Sequence, residues 1–267
     1  MRKKALALSG SALFLGIAGF FLRFLELRYD YTDRALPIPG SPLRIVTPVF
    51  LLAAAIVLAV CVAVAGRERR DLITLNTGER FSSAVYTVLT VLCGLGLTAC
   101  AVYYYLTTER TVFDGLFALF LAMTGISQLV LTLARPEKGS DPVRVLFGAI
   151  CPVFGCLWLI TLYRIYAGHP TLTFYCYQFL AIVASTLTYY YMMGFYSSRG
   201  RCRRSLFAAL LGTVLCLLSV ADSAGIHRYL YLLHAIVNLC AVWRLLVTPV
   251  PPEPEEQAPE GTVPEDI

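Results

Sequence analysis

Residues 50–66 read FLLAAAIVLAVCVAVAG, a run without one charged side chain. A strand of a membrane β-barrel is shorter and alternates apolar with polar residues. This run is continuous. A lone span in lipid must satisfy its own backbone hydrogen bonds, and only a helix does that within one segment. Crossing the hydrocarbon takes about 20 mostly apolar residues. Read outward from this run, eight stretches meet that test: 5–25, 45–66, 83–106, 112–134, 145–166, 173–196, 205–223 and 228–247. Charged or turn-forming clusters separate them. No long polar segment interrupts the series, so no soluble domain is inserted.

Composition agrees. The chain has 267 residues, of which 58% are hydrophobic and 15% charged, and its mean hydropathy is +0.69. Soluble domains carry about 25% charged residues, so a wet globular surface is excluded. The apolar content excludes disorder for the body of the chain, and the length excludes a small disulfide scaffold. The fold class expected is all-α, an integral membrane bundle of about eight transmembrane helices. Residues 1–247 form its single domain. Residues 248–267 form a disordered, acidic, proline-rich cytoplasmic tail. The basic start MRKK followed by an apolar stretch looks like a signal peptide. The stretch runs on to about residue 25 without a convincing cleavage site, so it reads as an uncleaved first helix.

Basic residues set the orientation. With the N-terminus inside, fifteen of the 22 lysines and arginines fall on the inner side, and every inner loop is basic. Both ends are therefore expected inside. The net charge of +5 hides a division, since six of the 17 acidic residues lie in the tail and the body carries eleven acids against 22 basic residues. That surplus reflects topology and attraction to anionic lipid, not nucleic acid.

Nine cysteines are present, with no C-x-x-C pair and no zinc-type spacing. Eight fall in expected spans, where free cysteine packs as a small hydrophobe; Cys202 is expected in an inner loop. The enzyme signatures G-x-S-x-G, H-E-x-x-H, the P-loop and G-x-G-x-x-G are absent. Gly94 and Gly96 read as close helix packing. Asp30 and Asp33 form a D-x-x-D pair, a weak signal for a diphosphate-metal site. No cofactor and no enzyme activity are expected. Lysines occur only at positions 3, 4 and 138, so no span can carry a retinal Schiff base. His227 and His234 lie about 10 Å apart along a helix, too far to share one metal with His169 or Asp222.

Intramembrane polar residues are costly and are the first place to look for function. On the eighth span His227, Tyr231, His234 and Asn238 are spaced 4, 3 and 4, which puts them on one helical face. They read either as a wall of a polar cavity open to the outside or as interhelical hydrogen bonding. Arg164, Asp222, Asp114 and Gln178 fall at similar outer depths. Arg164 could pair with Asp222 or Asp114. Arg23 and Glu26 end the first span, and Arg23 and Arg228 are expected to snorkel to the interface. Candidate cavity residues are thus Arg164, Asp222, Tyr231, His234, Asn238, Gln178 and Asp114. Tyrosines 103–105, 163, 166 and 189–191, with Trp243, read as interfacial belts.

The stretch YDYTDRALPIPGSPLRIVTPVFLLAAAIVLAV (29–60) resembles a group of uncharacterised polytopic membrane proteins from anaerobic Gram-positive bacteria, and WLITLYRIYAGHPTLTFYCYQFLAIVASTLTYYY (158–191) is similar to the same group. The resemblance implies a bacterial plasma membrane and no particular reaction. Two readings of function lead. One is a non-enzymatic membrane component: a sensor, accessory subunit or scaffold with a membrane protein partner. The other is a binder or transporter of a small or lipid-like molecule, using an outward cavity where Arg164, Asp222, His234 and Asn238 face one another. A membrane enzyme is the third and weakest.

Overall fold

The computed structural model describes residues 2–31, 38, 42–65, 84–108, 111–133, 142–168 and 175–247. It is all-helical, with α1 (Arg2–Tyr29), α2 (Leu43–Ala65), α3 (Ala84–Thr107), α4 (Val112–Leu133), α5 (Pro142–Tyr166), α6 (Cys176–Tyr196), α7 (Cys202–Ser219) and α8 (Gly225–Val247). Seven of these are long and apolar enough to cross a membrane. The protein is a multi-pass helical membrane bundle. Asp33, His169, the basic loop residues at 67–80 and 134–141, and the tail from 248 lie outside the described residues.

The exception among the spans is α6, and its sequence explains why. It carries Gln178, Ser185, Thr188 and tyrosines 189–191. Its polar side chains turn inward: Gln178, Ser185 and Thr188 are all buried. Flanked by α5, α7 and α8, this helix does not need the hydropathy that lipid demands. The opposite case is α2, the helix of the deciding run. Its buried line Thr47, Ala54, Leu58, Val62 and Ala65 faces the bundle, while Ile45, Val49, Leu52, Ile56, Val60 and Val64 are exposed. An apolar face of that extent would be a liability in water and is the ordinary surface in lipid.

Adjacent helices run antiparallel. Tyr104, late in α3, meets Asp114 at the start of α4. Ser127, late in α4, meets Phe147, early in α5. α7 and α8 form the middle of the bundle, and α7 packs on α1, α2, α6 and α8. The core has two main parts. One gathers Leu97, Phe117, Phe154, Trp158, Leu230 and Tyr231 from α3, α4, α5 and α8. The other, at the end where α1 begins, gathers Ala5, Leu58, Leu206, Val214, Val242 and Leu245.

Two boundaries differ from expectation in ways that matter. α7 begins at Cys202, so that cysteine opens a helix and is buried rather than lying in a loop. α7 also stops at Ser219, where the Val220 N–H bonds back to Cys216 and Leu217 carbonyls. Asp222 therefore sits in the turn before α8 instead of on the helix. Gly225 resumes the helix with φ +56, a left-handed conformation that glycine adopts without steric cost.

Candidate functional site

The turn between α7 and α8 brings together the most costly side chains of the bundle. Arg23, from α1, is 0% exposed. Its Nε lies 3.1 Å from Asp222 Oδ2 and its Nη1 lies 2.9 Å from Glu26 Oε1. The guanidinium sits over the Tyr177 ring at 4.7 Å and the Tyr31 ring at 5.7 Å. Gln178 of α6 completes the cluster. Its Nε2 donates to the Asp222 backbone oxygen at 3.0 Å, to Asp222 Oδ1 at 3.2 Å and toward Tyr166 Oη at 3.3 Å. Three separated pieces of chain, α1, α6 and the α7–α8 turn, are thus fastened at one point. Burial pushes the Asp222 carboxyl up to about 6, opposed by the Arg23 charge and by hydrogen bonds from Arg23 and Gln178. Desolvation outweighs the pairing.

This corrects two expectations. The partner of Asp222 is Arg23, not Arg164, and Arg23 does not snorkel. Arg164 is exposed, with its guanidinium 4.3 Å from the Phe113 ring, a cation–π contact to α4. The signal for Arg23 was in the sequence. A glutamate three residues on shares its helical face, so a charge pair was already present before the helix ended. Arg228 is exposed and donates from Nε and Nη2 to the Ser223 carbonyl at 3.2 and 3.0 Å. Asp114 caps α4: its N–H donates to Thr111 Oγ1 at 3.2 Å, Thr111 Oγ1 donates to its carboxylate, and Tyr104 Oη donates to Oδ1 at 3.1 Å. A carboxylate there also suits the helix dipole. Asp30 accepts the backbone N–H of Arg44 at 2.9 Å, at the start of α2.

Three steps of the α8 stripe pack along Trp158 of α5, and the fourth turns to α6. His227 Nδ1 accepts from Trp158 Nε1 at 3.2 Å. Tyr231 is fully buried, its ring 4.8 Å from Trp158 and its Oη 3.5 Å from the Gln178 carbonyl. His234 Nδ1 lies 2.8 Å from its own Leu230 carbonyl, and its ring packs on Trp158 at 4.9 Å and edge-on to Tyr189 at 5.8 Å. Asn238 Nδ2 donates to Ser185 Oγ on α6 at 3.0 Å. Gly212 of α7 makes room for that amide, because a Cβ there would sit 2.8 Å from Nδ2. Gln178, Tyr231, His234 and Asn238 are each 1% exposed or less. The seven candidate residues therefore divide. Asp222, Gln178 and Tyr231 join the Arg23 cluster, His234 joins an aromatic stack, Asn238 fastens α6 to α8, and Arg164 and Asp114 stand apart at the α4–α5 edge.

Because Asn238 and Ser185 bridge two helices inside the bundle, Ser185→Ala is expected to lower stability by about 0.6–1.7 kcal/mol, the span seen for such bonds in membrane proteins. A thermal melt in detergent measures it. No loss would mean that the bridge is idle.

Sequence reading missed a second polar region, at the end of the bundle where α1 begins. A cavity of about 50 Å³ is lined there by Tyr86, Gln128, Thr188, Tyr189, Tyr196 and Arg244, among others. Arg244 is buried and its Nη1 donates to Tyr196 Oη at 2.9 Å. Arg144, also buried, has its guanidinium 6.0 Å from the same tyrosine ring. Tyr189 Oη has no hydrogen-bond partner among the described residues. The volume suits a few ordered waters. None of the seven candidate residues lines it. A lone arginine in AVWRLLV resembles any helix-end cation, so nothing local marked it for burial. Among the described residues no three His, Cys, Asp or Glu side chains gather to hold a metal. Comparison with known protein families, with characterised proteins and with solved structures finds no match.

Proposed function

We propose that the protein is a non-enzymatic component of a bacterial plasma membrane, an accessory subunit or scaffold that acts by holding a partner protein. One observation carries this reading. The polar side chains most deeply placed at the Asp222 end are engaged by the protein itself: Asp222 by Arg23 and Gln178, His234 by its own helix, Asn238 by Ser185. A transport site needs polar groups that a solute can reach. These groups are internal fastenings, and a bundle so fastened presents a fixed outer surface. The excess of basic residues in the loops around the N-terminus supports both ends on the cytoplasmic side, with α6 crossing as well so that the alternation closes.

Native mass spectrometry of the chain extracted from its membrane in a gentle detergent tests the proposal. A stoichiometric protein partner is the expected result. A lone chain would overturn it. A lone chain carrying a defined small molecule would revive the binder reading, in which His234→Leu and Asn238→Leu should impair ligand retention more than folding.

A further inference from the structure

The cavity of about 50 Å³ at the end of the bundle where α1 begins is walled by five helices, α3, α4, α5, α6 and α8. Space of that size holds a few waters. Its occupant is therefore no larger than a small ion with a water or two. Arg244 of α8 lines the cavity and is 6% exposed. Among the described residues of the wall there is no carboxylate. An ionised side chain within a membrane bundle is costly and is a candidate binding group by default.

The hydrogen bonds on the wall sort its groups into donors and acceptors. Arg244 Nη1 donates to Tyr196 Oη at 2.9 Å, and the Tyr86 hydroxyl takes a second bond from the same guanidinium. A tyrosine hydroxyl that accepts from a cation still has its own proton to give. Among the described residues nothing accepts the proton of Tyr196. Thr90, Thr132 and Thr188, also on the wall, donate instead to carbonyls of their own helices at 2.8, 2.7 and 3.0 Å. They leave oxygen lone pairs, which water satisfies. Beside Arg244 and Tyr196 the need is for an acceptor. Water can serve there, but an anion gains the attraction of the guanidinium, which is strong away from bulk solvent, and its hydrogen bonds are about twice as strong as neutral ones.

We propose that the cavity is a binding site for one small monovalent anion of chloride size. The anion accepts from the Tyr196 hydroxyl and faces the Arg244 guanidinium, with water on the threonines.

Thermal melts of the full chain in a non-ionic detergent test this, with sodium chloride replacing sodium gluconate at constant sodium. Gluconate is too large for the cavity. Chloride is expected to raise the melting temperature by about 2–4 °C and then to level off, as a site filled to several times its Kd would. Arg244→Met should remove the chloride response. Tyr196→Phe, a milder change, should keep it but need about tenfold more chloride, the loss of one hydrogen bond to a charged group. Arg164→Gln, which removes an exposed arginine away from the cavity, should respond as the wild type. A melt indifferent to chloride would show that the cavity holds water alone. A rise that never levels off and is equal in all four chains would be a general salt effect. Either of these two results overturns the proposal.

Discussion

Arg23→Met will destabilise the bundle more than any other single substitution considered, by about 3–5 kcal/mol. The reason is the fate of what remains. Arg23 is the cation shared by Glu26 and Asp222, whose side chains are 2% and 0% exposed. Methionine fills the volume but leaves two carboxylates desolvated. Breaking a buried pair from one side is costly, whereas replacing all of its members by neutral groups of similar shape is close to neutral. The triple variant Arg23→Met, Glu26→Gln, Asp222→Asn should therefore recover most of the loss. Thermal melts of the single and triple variants in one detergent measure both. A loss below about 1 kcal/mol in the single variant would place this cluster with ordinary exposed pairs and sink the argument. A triple variant no better than the single would show that shape, not charge, is what Arg23 supplies.

The same cluster makes stability depend on pH in a defined direction. The Asp222 carboxyl is pushed from an ordinary 3.8 up to about 6, mainly by burial. Between those values the folded chain holds a proton that the unfolded chain releases. The contribution of Asp222 to stability is thus fully present below pH 3.8, is lost as the pH rises through about 6, and changes no further above that. Asp222→Asn should flatten this slope. In Arg23→Met the deficit should be larger at pH 7 than at pH 4, because a protonated Asp222 no longer needs its cation. Identical slopes in wild type and Asp222→Asn would assign the titration to another group.

Much of the fold was legible in the sequence because lipid is a demanding solvent. A run such as that of α2 has few other destinations, and the helices lie close to the stretches expected. Legibility failed where protein replaces lipid as the surroundings. α6 has three neighbouring helices and could afford a polar inner face, so hydropathy undervalues it. The candidate site shows the same limit. Periodicity placed His227, Tyr231, His234 and Asn238 on one face of α8, and they do share it. It could not say that Trp158 of α5 packs along His227, Tyr231 and His234 while Asn238 turns to Ser185 of α6, which fills the stripe instead of lining one void. Pairing was harder still. Arg164 was the cation expected for Asp222, and the choice of Arg23 depends on α1 packing against α7, a contact between residues 199 apart. Nothing local encodes it.

The second large effect concerns backbone approach and carries its own control. Gly125→Ala and Gly115→Ala are the same chemical change in the same helix, α4. Intrinsic helix propensity favours alanine at an interior position by about 1 kcal/mol, so propensity alone makes both substitutions stabilising. Packing separates them. A Cβ on Gly115 would meet nothing within 4 Å, whereas one on Gly125 would lie 2.6 Å from the Gly94 carbonyl oxygen and 2.8 Å from the Thr98 backbone nitrogen. These are atoms of α3 itself and cannot rotate away as a side-chain tip can. The methyl can be admitted only by moving α3 off α4, which loosens the contact of Gly94 with Leu129 and exposes the core beneath. Small residues are how membrane helices gain close packing when no hydrophobic force drives them together, and overpacking such a contact costs about 1–3 kcal/mol. Gly125→Ala is thus expected to lose about 1 kcal/mol net, and Gly115→Ala to gain up to about 1 kcal/mol. Melting both variants beside the wild type decides the matter: equal behaviour would mean that α3 and α4 do not rely on backbone contact, and that the glycines of these helices are incidental to the fold.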